Sequence, residues 1–151
     1  MPKIAALALA ILAIPLAARA EERASTRDAE LMVHKAVEFY KKVGREKALA
    51  AFSDPKGAFT YRDIYITAFD FEGKCLAHGA NASRVGKNFI HETDVDGKNW
   101  HVERIKIAKE KGKGWVEYKF PNPAKGGEVE QKVAYFEAID GVILTCGAYR
   151  P

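Results

Sequence analysis

The chain has 151 residues, 48% hydrophobic and 29% charged, with 24 basic and 20 acidic residues and two cysteines. That length makes one domain, able to bury about two-thirds of its unfolded surface without needing a metal or disulfide to fold. A net charge of +4, with both signs mixed along the chain, excludes the dense basic footprint of a nucleic-acid binder.

The N-terminus predicts a secretory leader. Lys3 supplies a positive start, Ile4 to Ala17 is a short apolar run interrupted by Pro15, and Ala18-Arg19-Ala20 is an A-x-A cleavage site. The run falls short of the ~20 residues of a membrane span. Cleavage after Ala20 leaves a single domain over 21–151 and an exported, periplasmic protein. Removing Lys3 and Arg19 leaves 22 basic residues against 20 acidic, a net charge of +2.

Ser25 or Thr26 is placed to cap a helix, and Leu31, Met32, Ala36, Phe39, Tyr40 and Val43 then recur at helical spacing. Gly44 breaks that helix, and a second helical run, Glu46 to Phe52, ends in the turn Ser53-Asp54-Pro55-Lys56-Gly57. From Tyr61 the period becomes two. Ile64, Ile66, Ala68 and Asp70 alternate with Tyr65, Thr67, Phe69 and Phe71, Glu72-Gly73 turns the chain, and Lys74 to His78 returns. The Gly- and Asn-rich stretch 79–98 reads as irregular. A helix is predicted over Asn99 to Lys111 and stopped by Gly112; strands follow at Trp115 to Phe120, Glu128 to Ile139 and Val142 to Tyr149. Short strand-to-strand connections require antiparallel pairing, so the class is α+β.

Catalytic and metal chemistry find little support. There is no Gly-x-Ser-x-Gly, phosphate-binding loop, dinucleotide fingerprint or haem-attachment motif. Cys75 and His78 are three apart on a strand, so they face opposite sides and cannot act as a nucleophile and base. His91, Asp94 and His101 invite a metal, but their spacing matches no common site. Asp94-x-Asp96-Gly97 begins like a calcium loop and then has Asn99 and Ile105 where Gly and an acid are required. It reads better as a turn leading into a helix cap. The expectation is a non-enzyme with neither metal nor cofactor.

The segment Ile64 to Asn81, which ends in Leu-Ala-His-Gly-Ala-Asn, runs on to Val85-Gly86-Lys87-Asn88, and the chain closes on Gly147-Ala148-Tyr149. That order of pieces resembles the single Cache domain, second subtype, a PAS-like extracytoplasmic module that senses small molecules. The resemblance spans roughly Ala29 to Tyr149. It implies a long N-terminal helix packed on a five-stranded antiparallel sheet. In the family's sheet the strands of Cys75 and Cys146 lie on opposite sides of the first strand. Next-nearest strands are ~9.6 Å apart, beyond the ~7 Å Cα limit for a disulfide, which favours two buried thiols over a bridge.

The resemblance also implies a cleft between the sheet and the connecting helix and loops that takes small organic anions. Tyr118 and Phe120 match the family's Tyr-x-aromatic strand before Asn122-Pro123, with Phe120 standing where the family often has Trp. Lys132 matches a basic position preceding the aromatic-rich fourth strand. Thr67 and Phe69 share a face by alternation, and His78 closes the second strand. The expected ligand-binding set is therefore Thr67, Phe69, His78, Tyr118, Phe120, Lys132 and Tyr135, with the ammonium pairing a carboxylate and a tyrosine hydroxyl fixing its orientation. Each has a plain alternative: Lys132 as a solvent-facing strand lysine, the aromatics as core, His78 as a partner of loop carbonyls. Trp100 and Trp115 are read as packing, with a place lining the cleft as the lesser alternative for either.

Family members in receptors are followed by a membrane helix, whereas this sequence stops just after its last strand, so a free-standing periplasmic form is expected. It would bind a short organic acid or amino acid and act through a membrane receptor, kinase or transporter. It would be a monomer, or a weak homodimer through the Leu31–Val43 stripe. The alternative is a ligand-free interaction subunit that modulates such a partner.

Overall fold

The structure, a computed structural model, describes residues 23–150; the leader and its cleavage site lie outside the described residues. Helix α1 (Thr26–Val43) opens with a reciprocal cap. The Ser25 hydroxyl accepts from the Asp28 N–H at 3.1 Å, and the Asp28 carboxylate accepts from the Ser25 N–H at 2.7 Å. Gly44, at φ 86°, ends α1 in a conformation that a side chain would resist, and α2 (Arg45–Phe52) begins at once.

Six antiparallel strands follow: β1 (Thr60–Tyr61), β2 (Ile64–Asp70), β3 (Cys75–His78), β4 (Lys113–Asn122), β5 (Glu128–Ile139) and β6 (Val142–Arg150). Their order is β1-β2-β6-β5-β4, with β3 also on β2. The expected sheet had five strands. The sixth, β1, is a two-residue pairing of Thr60 and Tyr61 with Tyr65 and Ile64, too short to show a period in sequence. Helix α3 (Trp100–Lys111) lies between β3 and β4. The Asn99 side chain caps it by accepting from the Val102 N–H at 3.0 Å.

The sheet separates two apolar layers. On one side Ala29, Met32, Val33, Ala36, Val37 and Tyr40 of α1 pack on Ile64, Ile66 and Ala68 of β2 and on Leu144, Cys146 and Ala148 of β6. On the other, Trp100, Ile105 and Ala108 of α3 pack on Val116, Tyr118, Ala134, Phe136 and Ile143. The α1 stripe differs from its sequence reading in one way. Leu31 is 47% exposed, its place taken by Val33 and Val37. Met32, Ala36 and Tyr40 of the stripe are buried against the sheet. Cys75 and Cys146 are both buried and free, on strands flanking β2. No described helix is long and apolar enough to cross a membrane.

Candidate ligand-binding site

Strand alternation sends Tyr65, Thr67 and Phe69 of β2, Tyr118 and Phe120 of β4, and Lys132 of β5 to the sheet face away from α1. There they meet His78 at the end of β3, Trp100, His101 and Arg104 on α3, and Arg84 on a short 3₁₀ turn, and together they line one cavity. Six of the seven expected site residues thus converge. Tyr135 does not. Even spacing from Lys132 reaches Ala134 and Phe136, so Tyr135 faces α1, where its hydroxyl donates to Glu137 at 2.7 Å and its ring meets His34 and Trp115.

Lys132 is 4% exposed and no surface lysine. Its ammonium donates to the hydroxyls of Tyr65 at 3.1 Å and Tyr149 at 3.3 Å, and sits 4.5, 4.6 and 5.2 Å from the ring centroids of Tyr65, Tyr149 and Phe120. These phenol oxygens and ring faces offset part of the cost of burying the charge. Tyr149 donates onward to the Pro121 carbonyl at 3.0 Å, which fixes the arrangement.

His78 is pinned by the loop it begins. Its Nδ1 accepts from the backbone N–H groups of Ala80 at 3.2 Å and Asn81 at 2.9 Å. The ring proton is therefore on Nε2, a donor on a side chain that lines the cavity. Burial, reinforced by the charges of Lys132 and Arg84, pushes its pKa down to about 3, so the ring is neutral. His101 shows the same logic. Arg104 Nη2 lies 2.9 Å from its Nδ1 and must be the donor, so Nε2 carries the proton toward Glu92 at 3.1 Å. Burial chiefly, and then the Arg104 charge, lowers its pKa to about 4.

Arg104 is 1% exposed and stands 4.7 Å from the Phe69 ring, and its Nε has no partner among the described residues. Burial lowers its pKa to about 10, which still leaves it charged at neutral pH. Arg84 pairs with Glu92 at 2.6 Å and covers the Phe89 ring at 3.8 Å; its Nε too has no partner among the described residues. Burial opposes ionisation of Glu92, but hydrogen bonds from His101 and Arg84 and the charge of Arg84 outweigh it and hold the carboxyl below its usual range. Among the described residues Glu92 is the one carboxylate that these groups contact. Three cations against one anion leave the site with an excess of two positive charges. That favours an anionic occupant, and the planar fork of each arginine suits a carboxylate.

Part of the lining is aromatic. Trp100 stacks on Tyr118 at 4.4 Å with the planes 4° apart, and Phe120 meets Trp100 edge-on. The cavity itself is small, about 20 Å³ or roughly one water. Of its lining residues, Arg84, Phe120 and Thr67 are partly exposed and the rest are buried. A larger hollow of about 180 Å³, also bordered by Tyr65 and lined by Asp63, Gly79 and Pro123, lacks such a convergence of charge.

Sequence reading missed Tyr65, Arg84 and Arg104, took His101 only as a possible metal ligand, and read Trp100, which also lines the cavity, first as packing. Arg104 had a readable signal, a cation in line with Trp100 and Ala108 on the buried stripe of α3. Tyr65 shares the alternation of Thr67 and Phe69. Arg84 sits in an irregular loop and had none. Asp94 makes the expected turn, accepting from the N–H groups of Asp96 and Lys98 and from that of Lys119. No cluster of three His, Cys, Asp or Glu able to hold a metal occurs among the described residues.

No curated protein matches this chain. Among solved structures it is similar to a Cache chemosensory domain studied for carboxylic acid recognition, with a TM-score of 0.72 and 23% identity over 89% of this chain and 97% of that one. It is also similar to a methyl-accepting chemotaxis protein from Vibrio parahaemolyticus RIMD 2210633, with a TM-score of 0.69 and 21% identity over 82% and 87% of the two chains. A periplasmic sensor domain of a chemotaxis protein aligns at a TM-score of 0.65 and 23% identity, over 92% and 100%. At such identities these likenesses establish the fold. The family model for single Cache domain 2 matches residues 22–150, and the chain belongs to that family of extracytoplasmic sensory domains.

Proposed function

We propose that this protein is a non-catalytic periplasmic sensor that binds a short organic acid between Lys132, Arg104 and Arg84 and acts through a membrane partner. The observation that carries the reading is the buried excess of positive charge. Two arginine Nε atoms without partners and one lysine without a carboxylate, among the described residues, are costly to maintain, and a ligand carboxylate would relieve that cost. The similar Cache domain studied for carboxylic acid recognition points to the same ligand class. The carboxylate would meet the Arg104 guanidinium and the Lys132 ammonium, His78 Nε2–H would donate to an oxygen, and the Trp100–Tyr118 stack would cover the apolar end.

Size limits the ligand. A six-heavy-atom acid such as pyruvate or lactate gains at most ~1.5 kcal/mol per atom, about 9 kcal/mol, which corresponds to micromolar binding at best. Entry requires the Arg84 and Phe120 rim to open, because the closed cavity holds only about one water. That closure is the observation favouring the second reading, a ligand-free module that presents a surface to a receptor, kinase or transporter. Thermal unfolding against a panel of short carboxylates, amino acids, purines and amines separates the two. A ligand at 100 times its Kd adds ~2.7 kcal/mol, raising Tm by roughly 8–15 °C for a domain of this size. A shift confined to carboxylates supports the sensor; no shift across the panel supports the ligand-free module.

A further inference from the structure

Lys132 reaches its partners only by crossing a neighbouring strand. It springs from β5, its ammonium contacts Tyr65 on β2, and β6 lies between them. The residue of β6 beneath the crossing is Gly147, directly opposite Ala134 and one pleat from the Lys132–Tyr149 pair. A Cβ at 147 would stand 2.8 Å from Lys132 Cγ and 3.0 Å from Cδ, and closer still to Cε. Ordinary carbon contacts are ~3.5–4.0 Å, so the overlap runs along the whole stem and not only at its flexible tip. Gly147 is not at positive φ, so its backbone does not demand glycine. Among the described residues, the three atoms nearest that missing Cβ all belong to Lys132.

We infer that Gly147 is a positioning residue: the absence of its side chain makes the slot in which the Lys132 stem lies, and so places the ammonium in the box formed by Tyr65, Tyr149 and Phe120. The importance of that position for a ligand rests on the proposed carboxylate site; the positioning itself does not. With the slot filled, the stem must lift from the sheet, and the ammonium loses both hydroxyls and the three ring faces at once.

The test compares Gly147→Ala in the wild-type and Lys132→Ala backgrounds. In wild type, Gly147→Ala should lower Tm and move the Lys132 Cε and Hε NMR signals from ring-shifted positions to those of a solvated lysine. In the Lys132→Ala background the same substitution should leave Tm unchanged or raise it, since alanine suits a strand better than glycine. Failure of the single variant to fold, with recovery of the fold in the double variant, supports the inference equally. An equal loss of Tm in both backgrounds, failure to fold in both, or unmoved Lys132 signals overturns it. Pyruvate titration is read separately. If wild type shows a pyruvate-induced Tm rise, Gly147→Ala should abolish it. If wild type shows none while the Lys132 signals move as expected, the carboxylate reading fails and the positioning of Lys132 stands.

Discussion

Mild acid should destabilise this protein through two histidines. His78 and His101 are each held neutral by burial, at pKa values of about 3 and about 4, against ~6.5 in an unfolded chain. In both rings Nδ1 accepts from fixed donors, two backbone N–H groups for His78 and the Arg104 guanidinium for His101. A proton there would set donor against donor. Folded pKa values below the unfolded ones mean that the unfolded chain takes up the protons. Stability is thus fully present above ~6.5 and falls as pH drops toward 4. Each histidine costs about 1.36 kcal/mol per pH unit in that window. From pH 7 to pH 5 that is about 2 kcal/mol each and about 4 kcal/mol together. The carboxyls held low by hydrogen bonds, Asp28, Glu92, Asp94 and Glu130, contribute their own loss only below their unfolded range, so pH 5–7 isolates the histidines. Circular dichroism melts at constant ionic strength should show Tm falling by roughly 12–20 °C across those two units. His78→Asn, whose side-chain oxygen can accept from the same N–H groups, should halve the slope. A Tm that is flat between pH 7 and pH 5 would refute the assignment of two buried neutral rings.

Other consequences concern the helix cap, the thiols and the tryptophans. Ser25→Ala removes the cap acceptor of α1 and should cost about 1 kcal/mol, read as a Tm lowered by roughly 3–5 °C; an unchanged melt would mean the cap contributes nothing. Burial pushes the Cys75 thiol up to about 11 and Cys146 to about 12, so neither should react with a disulfide reagent in the native protein and both should react in guanidinium. Trp100 is stacked in the site whereas Trp115 is 40% exposed. In Trp115→Phe the remaining fluorescence should therefore change when a carboxylate binds, and an emission indifferent to saturating ligand would place the ligand elsewhere.

The sequence disclosed the periodic parts of this molecule and hid the aperiodic ones. The period-two stretches fixed β2, β5 and β6 nearly to the residue, because their inner positions must be apolar to bury. β1 was invisible, since two residues show no period. Alternation alone put Thr67 and Phe69 on one face of their strand, and the resemblance to the Cache family added Tyr118, Phe120 and Lys132, which line the same cavity; parity along β5, followed strictly, puts Tyr135 on the other face. α1 illustrates the tolerance of helical phase: a stripe drawn through Leu31 was about one position off, and Val33 and Val37 fill the interface instead. Arg84 depends on the path of the 79–98 loop, which is set by hydrogen bonds such as Cys75 N–H to the Lys87 carbonyl and not by any local pattern.

The central claim is that the buried cations exist to hold a carboxylate. Isothermal titration with pyruvate and lactate, beside their uncharged amides, on wild type and Lys132→Met tests it most directly. Binding of the acids in the micromolar to sub-millimolar range, at least tenfold weaker binding of the amides, and loss of acid binding in Lys132→Met are the predicted results. Amides that bind as well as the acids, or acid binding that survives Lys132→Met unchanged, would contradict the claim.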